Sequence, residues 1–459
     1  MSTNFNSSQA RVTKAEVKSF SGRTYSIAAM IGGFEISHSL DQVGYRGHLK
    51  VLDSVGFLEN FTMRGEETLD LEILGTDFQT KISFAAQIYK IDSVQMASTG
   101  DKLTYKLHFV SRISYEAAKK KVIMPFQEES AAYAAEQIFR RFFSELDTPT
   151  SLVGPLPYRV SAYGMKDDPQ RNFYIQETEG KLKAIIPNLT PSEAMFFLTQ
   201  RSYSTDSQSC SFRFFENYDG FHYVTDEFLI KRAIEDELLA QTERRRPKYL
   251  VDLIYIPNAS LEPVDAEVQT RLIESISNDM RVDTSSDLMS GGYANKAIEI
   301  DLIRRDVIEK NFYYKDFLNY TNMNGQAVKL SEDVHTSEFI EETFNDNNAK
   351  RFMIFRDFGQ SGDNPSTIRA DQYYSEIISN KMFYKHHLGT TSVSVGVKGR
   401  LDIQAGKVVR ITVSEFNIKK DKTYNQQLSG NYLVESVAHQ LDDNTLRTRI
   451  KLIKYNWSQ

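Results

Sequence analysis

Alternation of apolar and polar residues is the strongest constraint this chain carries. In KLTYKLHFVSRI (102–113), Leu103, Tyr105, Leu107, Phe109 and Ser111 fall on one face, and Lys102, Thr104, Lys106 and His108 on the other. That is the period of a strand with one buried side. The same period runs through TYSIAAMI (24–31), FEISHSL (34–40), YRGHLKVL (45–52), TLDLEIL (68–74) and KISFAAQIYKID (81–92). Gly32-Gly33, Gly44, Gly75 and Thr99-Gly100 punctuate these runs, so the first 115 or so residues predict an antiparallel barrel or sandwich. The pattern returns in TSVSVGVKG (391–399), GKVVRITVS (406–414), GNYLVESVAHQL (430–441) and TLRTRIKLIKYNW (445–457). Turn residues at Gly399, Gly406, Gly430 and Asp442-Asp443-Asn444 mark a second antiparallel barrel.

Between the two ends the character changes. SAAYAAEQIFRRFFSEL (130–146) places Ala135, Ile138, Phe139, Phe142, Phe143 and Leu146 at helical spacing. Thr190-Pro191-Ser192-Glu193 is a capping box with Pro at the first helical position. SCSFRFFE (209–216) and FHYVTDEFLI (221–230) read as two strands, joined by a tight turn at Asp219-Gly220. The expected architecture is mixed and β-rich. A first barrel spans 1–116, an α+β domain 117–267, and strands completing the second barrel 268–312. A polar excursion covers 313–366, and a helix with the second barrel 367–459. No residue-level repeat relates the two ends.

Chemistry is hard to find. The eight histidines (38, 48, 108, 222, 335, 386, 387 and 439) are dispersed, with no HExxH and no Cys/His cluster of zinc spacing. Cys210 is the single cysteine and has no His near it in sequence, so it reads as a small buried residue in a chain matured under reducing conditions. There is no GxxxxGK[ST] loop. Gly291-Gly292 reads as a turn, and Gly359-Gln360-Ser361-Gly362 lacks a spacer residue of a serine-nucleophile elbow. Glu66-Glu67 and Glu341-Glu342 could in principle flank a glycosidic bond, but neighbours on a strand point to opposite faces. No catalytic, cofactor-binding or metal-ligating residue is assigned, and the expectation is a structural protein rather than an enzyme.

Lys and Arg total 55 against 61 Asp and Glu, a formal charge of −6. No broad cationic field attracts nucleic acid or anionic lipid. The short basic runs Lys119-Lys120-Lys121 and Arg244-Arg245-Arg246 read as solvated loops. The polar start MSTNFNSSQARVTK has no apolar signal core, and no apolar run approaches a membrane span.

Three stretches, in order, resemble the central baseplate hub of contractile-tailed bacteriophages. They are GYRGHLKVLDSVGFLENFTMRGEETLDLEI (44–73), IIPNLTPSEAMFFLTQRSYS with SFRFFENYDGFHYV (185–224), and SGNYLVESVAHQLDDNTLRTRIKL (429–452). The 315–366 segment matches nothing in that family. The resemblance implies a homotrimer in which each chain contributes two tube-like barrels to a pseudo-sixfold ring. Such a ring joins the hexameric tail tube protein to the trimeric cell-puncturing spike protein, with tape measure and baseplate wedge proteins as further partners. It implies a place in the virion's tail baseplate, assembled in the host cytoplasm, with DNA passing through the lumen unbound. The acidic balance suggests a lumen that repels DNA. Rival readings are a hub or tail-tip component of another contractile injection system, and a β-rich carbohydrate-active enzyme.

Overall fold

Strands with one apolar face must pair edge to edge and then cover that face, and this chain does both by curling one large sheet around its own cores. A computed structural model describes residues 10–19, 21–61, 63–75, 81–96, 102–143, 173–204, 209–256, 271–280, 294–301, 305–313, 350–356, 375, 377–381, 391–414, 428–442 and 445–454. The first third forms β1 (Arg11–Lys18), β2 (Thr24–Ser26), β3 (Ile31–Ser39), β4 (Arg46–Asp53), α1 (Phe57–Asn60), β5 (Thr68–Leu74), β6 (Lys81–Met96), β7 (Leu103–Ser111) and α2 (Arg112–Ala118). Their order in the sheet is β3-β4-β7-β6-β5-β1-β2, antiparallel throughout. The curled sheet encloses a core that includes Val17, Leu49, Val51, Leu71, Phe84, Leu107 and Phe109.

The middle block contains β8 (Val122–Glu129), α3 (Ala131–Ile138), β9 (Phe173–Ile175), β10 (Leu182–Leu189), α4 (Pro191–Thr199), β11 (Phe212–Asn217), β12 (Gly220–Thr225) and α5 (Asp226–Glu243). Ser130 caps α3 by accepting from the Tyr133 amide at 3.1 Å. The capping box of α4 forms as its sequence predicts: the Thr190 amide donates to Glu193 Oε2 at 2.8 Å, and Glu193 N donates to Thr190 Oγ1 at 3.4 Å. Aromatic rings fill this core, with Phe214 against Phe143 at 5.3 Å and Phe221 at 6.0 Å between centroids. The β11–β12 hairpin turns at Asn217–Gly220 as expected. DEFLI, expected to continue the strand, instead opens α5. Thr225 Oγ1 accepts from the Phe228 amide at 3.2 Å, and Leu229, Ile230, Ala233 and Ala240 turn inward. A good N-cap followed by two acidic residues outweighed the β propensity of the flanking aromatics.

The last third adds β13 (Leu250–Tyr255), β14 (Ile273–Met280), β15 (Ala294–Asp301), β16 (Asp306–Tyr313), β17 (Lys350–Arg356), β18 (Thr391–Lys398), β19 (Val408–Val413), β20 (Gly430–Asp442) and β21 (Thr445–Lys454). Strands β13-β19-β20-β21-β18-β14 lie in that order around a valine-rich core that includes Val393, Val395, Val409 and Leu452. The β13–β19 pairing is parallel. A single bridge, Ile254 to Leu272, links the start of this arc to its end.

The mixed, β-rich class is as the sequence predicts, with strand-rich ends flanking an α+β block. Among the described residues neither end closes into a barrel by continuous pairing: the edge of β3 that could close the first is paired with β20, and in the second β13 meets the start of β14 only through the Ile254–Leu272 bridge. Two boundaries also differ from expectation. Strands β15 and β16 leave the second arc and pair with β17 in a separate three-stranded sheet. Strand β17 itself falls inside the stretch read as a polar excursion. Most of the helix expected over 367–387 lies outside the described residues, which place helix only within 375–381.

The ring cluster predicts the energetics of the middle block. Phe214→Ala should lower stability by about 3–5 kcal/mol, while Leu238→Ser on the exposed side of α5 (60% exposed) should change it by no more than about 0.5 kcal/mol. Chemical unfolding of both variants checks the contrast.

Candidate functional site

The feature that unites the two ends is a seam. Strand β20 is long enough to serve two partners on one edge: Leu433 back to Gly430 pair with β19, and Ser436 to Asp442 pair with β3. A bulge at Glu435 separates the two stretches, and the Glu435 carbonyl accepts from the Leu40 amide at 2.9 Å. The seven pairs from Ser436↔Ser39 to Asp442↔Gly33 merge both strand-rich ends into one thirteen-stranded sheet. Gly33 permits this approach, since a Cβ there would sit 2.6 Å from the Leu441 carbonyl oxygen.

Behind the seam, on its core side, lie His38, His439 and Tyr218. The His38 ring stands 4.9 Å from Tyr218 and 6.1 Å from His439 between centroids. His439 Nδ1 lies 3.0 Å from Thr448 Oγ1 on the neighbouring strand. Burial keeps both rings neutral: desolvation lowers His38 to about 3 and His439 to about 4, the mutual repulsion of the two and the Lys407 ammonium adding to it at His38. Lys407, itself buried, donates to the Asp402 carbonyl at 2.7 Å.

The middle block clamps the seam. Glu216, on β11, accepts from Ser111 Oγ at 2.9 Å and from Ser114 Oγ at 3.1 Å, tying the hairpin to β7 and α2. Burial pushes its carboxyl up to about 7, and the two hydroxyls only partly offset that. Asn217 Nδ2 reaches the other way, to the Ala405 carbonyl at 3.2 Å. Arg213 joins Asp226 at 2.9 Å and Asp41 at 2.5 Å. Arg410 on β19 grips Glu237 of α5 with two bonds of 2.8 and 2.6 Å. Leu40, Phe215, Leu229, Val408 and Leu433 share one apolar cluster, so all three blocks are packed as a unit there.

On the opposite side the sheet from β14 to β7 presents an open polar face. Burial alternates strictly: Phe34, Leu49, Leu107, Val437 and Ile450 point inward, while Glu35, Lys50, Lys106, Ala438 and Arg449 point outward. Arg46 and Lys50 on β4, Lys106 on β7, Lys398 on β18, and Arg447, Arg449 and Lys451 on β21 outnumber Glu35, Glu274, Glu435 and Asp442. The acidic wall suggested by the chain's net charge is therefore not found on this face, because the excess carboxylates sit elsewhere. Of the terminal strands of the described sheet, β2 is exposed along its length, and β14 exposes Glu274, Ser275, Ser277 and Asn278 while Ile273 turns into the core.

The residues weighed for chemistry have other uses. The Cys210 thiol is buried, directed at the Ile377 carbonyl 3.6 Å away, and raised to about 12 by desolvation. Glu67 is buried and accepts from the amides of Arg64, Gly65 and Glu66 at 2.7, 2.8 and 3.1 Å, so it organises its turn. His222 stacks between Tyr174 and Phe215. His48 and His108 sit on the open face, with His108 Nε2 2.9 Å from Asp92. Glu341-Glu342, Gly291-Gly292, Gly359–Gly362, His335, His386 and His387 lie outside the described residues. No group of three or more His, Cys, Asp or Glu side chains is placed to hold a metal among the described residues, and none of the described helices is long and apolar enough to cross a membrane. The seam and its clamp left no local trace in the sequence. Adjacent buried Glu216 and Asn217 before a tight turn were the one available hint.

Comparison with known proteins finds no matching family model and no curated relative. Solved structures align over most of the chain. A tail protein from Neisseria meningitidis aligns at 9% identity and TM-score 0.49 over 96% of each chain. A 43-kDa tail protein of prophage MuSo2 from Shewanella oneidensis aligns at 9% identity and TM-score 0.48, over 96% of this chain and 98% of that one. An E. coli component of the type VI secretion system, described as similar to the phage T4 tail proteins gp27 and gp5, aligns at 8% identity and TM-score 0.42, over 98% and 78%.

Two predictions follow from the seam's geometry. Gly33→Val should force β3 away from β20 and destabilise the protein by about 1–3 kcal/mol, read as a lower unfolding midpoint and faster proteolysis. The pH profile should have two opposed arms. His38 and His439 have folded values below the ordinary 6.5, so they contribute stability that is present above pH 6.5 and is lost as pH falls towards 4 and then 3. Glu216 has a folded value of about 7 against an ordinary 4.5, so its contribution is complete below pH 4.5 and is lost as pH rises through 7. Desolvation pushes Glu227 up to about 7 as well, so Glu216→Gln should shrink the second arm in a plot of unfolding midpoint against pH without abolishing it, and an unchanged profile contradicts the assignment.

Proposed function

We propose that this chain is a structural subunit of a contractile-tail baseplate, a central hub that joins the tail tube to the spike. The observation that carries the reading is the intrachain seam. One polypeptide sets two strand-rich units side by side in a single sheet, with a polar face on one side and strand edges at both ends. Unpaired edges are a hazard for an isolated protein and an asset for an assembling one. Pairing them between copies by the same kind of ladder would continue the sheet from chain to chain, and closed rotational symmetry is the usual outcome of such head-to-tail contacts.

In this reading three copies supply six strand-rich units, giving a pseudo-sixfold ring from a threefold assembly. The sixfold side meets a hexameric tail tube and the threefold side meets a trimeric spike, with tape measure and wedge proteins as further neighbours. The open polar face lines the channel through which DNA leaves, which fits the small or polar side chains Ser392, Ser394, Ser436, Ala438, Arg447, Arg449 and Lys451 at its outward positions on β18, β20 and β21. The chain acts through its surfaces rather than by catalysis, and it resides in the virion's tail after assembly in the host cytoplasm. The sequence resemblance over 44–73, 185–224 and 429–452 supports the same assignment.

Light-scattering mass of the purified full-length chain tests the reading. Three times the chain's 52.6 kDa, unchanged on dilution to low micromolar concentration, is the expected outcome. A monomer at all concentrations would count against it.

A further inference from the structure

The open face is not uniform. Between β14 and β3 it sinks into a groove of about 730 Å³. Ser37, Ser275, Ser394 and Ser436 floor it. Gly396 keeps the floor low where β18 meets β14: a Cβ there would stand 2.4 Å from Ser275 Oγ. Arg449 and Lys451 rise from the strand in the middle, and Arg447 continues their row past the groove's end. The two carboxylates of the lining, Glu435 and Asp41, are held by Lys451 at 2.8 Å and by Arg213 at 2.5 Å, whereas Arg447 and Arg449 have no carboxylate partner among the described residues.

We propose that this groove binds an extended, acidic polypeptide segment of a partner protein. Alternate residues on a strand recur about every 6.6–6.8 Å, so the Arg447, Arg449 and Lys451 row has the repeat of alternate side chains on an extended peptide laid beside it. Guanidinium groups take carboxylates bidentately. Serine hydroxyls both donate and accept, which suits a ligand whose backbone amides and carbonyls have no strand to pair with.

A nucleic acid fits the same cations less well. Single strands are held by bases stacked on aromatic rings, and no Phe, Tyr or Trp lines the groove. A long polyanion would also meet the field of a chain with net charge −6. A short acidic segment needs only the guanidinium groups of Arg449 in the groove and Arg447 at its end. The site lies within one chain, so it stands or falls apart from the ring.

Fluorescence anisotropy with the full-length protein and a labelled peptide of alternating glutamate and serine tests the proposal. Saturable binding that weakens with salt is expected. Arg447→Glu with Arg449→Glu should weaken it about tenfold or more. Ser394→Trp, which fills the floor without changing charge, should do the same, each at an unchanged unfolding midpoint. Arg46→Glu with Lys50→Glu, on the same face outside the groove, should leave affinity within about twofold. No saturable binding overturns the proposal. So does equal affinity for a glutamine–serine peptide, tighter binding of a single-stranded oligonucleotide, or an equal loss in the Arg46/Lys50 variant. If the double arginine variant does not fold, Ser394→Trp and the peptide competition decide.

Discussion

The backbone ladder between β3 and β20 is the interaction on which the rest of this structure depends. A single backbone hydrogen bond adds only about 0.5–1.5 kcal/mol net, so seven residue pairs would not by themselves hold two large units in register. The ladder is decisive because its core side is packed with buried rings that this register brings together. His38, His439 and Tyr218 pack ring against ring there, and slipping the register by one residue would turn His38 and Val437 outward and Ser37 and Ser436 inward. Register at the seam therefore fixes which face of the whole sheet is polar.

That dependence explains the α+β block between the two ends. It is inserted in sequence but central in space, and its hairpin carries Glu216 towards the first unit and Asn217 towards the second. Two adjacent side chains thus tie the hairpin to both units, while α5, through Glu237 and Arg410, is joined to β19. Burying a carboxylate such as Glu216 costs free energy unless it is satisfied by donors or neutralised. Here it is both bonded by two serines and raised towards neutrality, which makes the joint sensitive to pH in a way an apolar contact is not.

Much of this was legible in the sequence wherever the signal was local. Alternation located β3, β4, β5, β7, β18, β19, β20 and β21, Thr190 and Glu193 announced α4, and Asp219-Gly220 announced the hairpin. What escaped was either a competition between local signals or a pairing at long range. Phe228 and Leu229 continue the alternation of β12, yet the cap at Thr225 ends the strand and starts α5. The parallel pairing of β13 with β19 and the seam itself join residues far apart in the chain, and period-two patterning says which face is buried without saying which edge finds which partner. Net charge misled for a related reason: it is a sum, and the outward positions on β4, β7, β18 and β21 are cationic in a chain that is acidic overall.

The central claim is that one seam aligns two units so that copies of the chain close around a common polar face. A cryo-electron microscopy map of the purified full-length protein tests it most directly. The account predicts a threefold ring with six similar strand-rich units around an open channel, the Arg449 face turned inward and β3 paired with β20 inside each chain. A particle with no channel, or one in which the Arg449 face points outward, would contradict it.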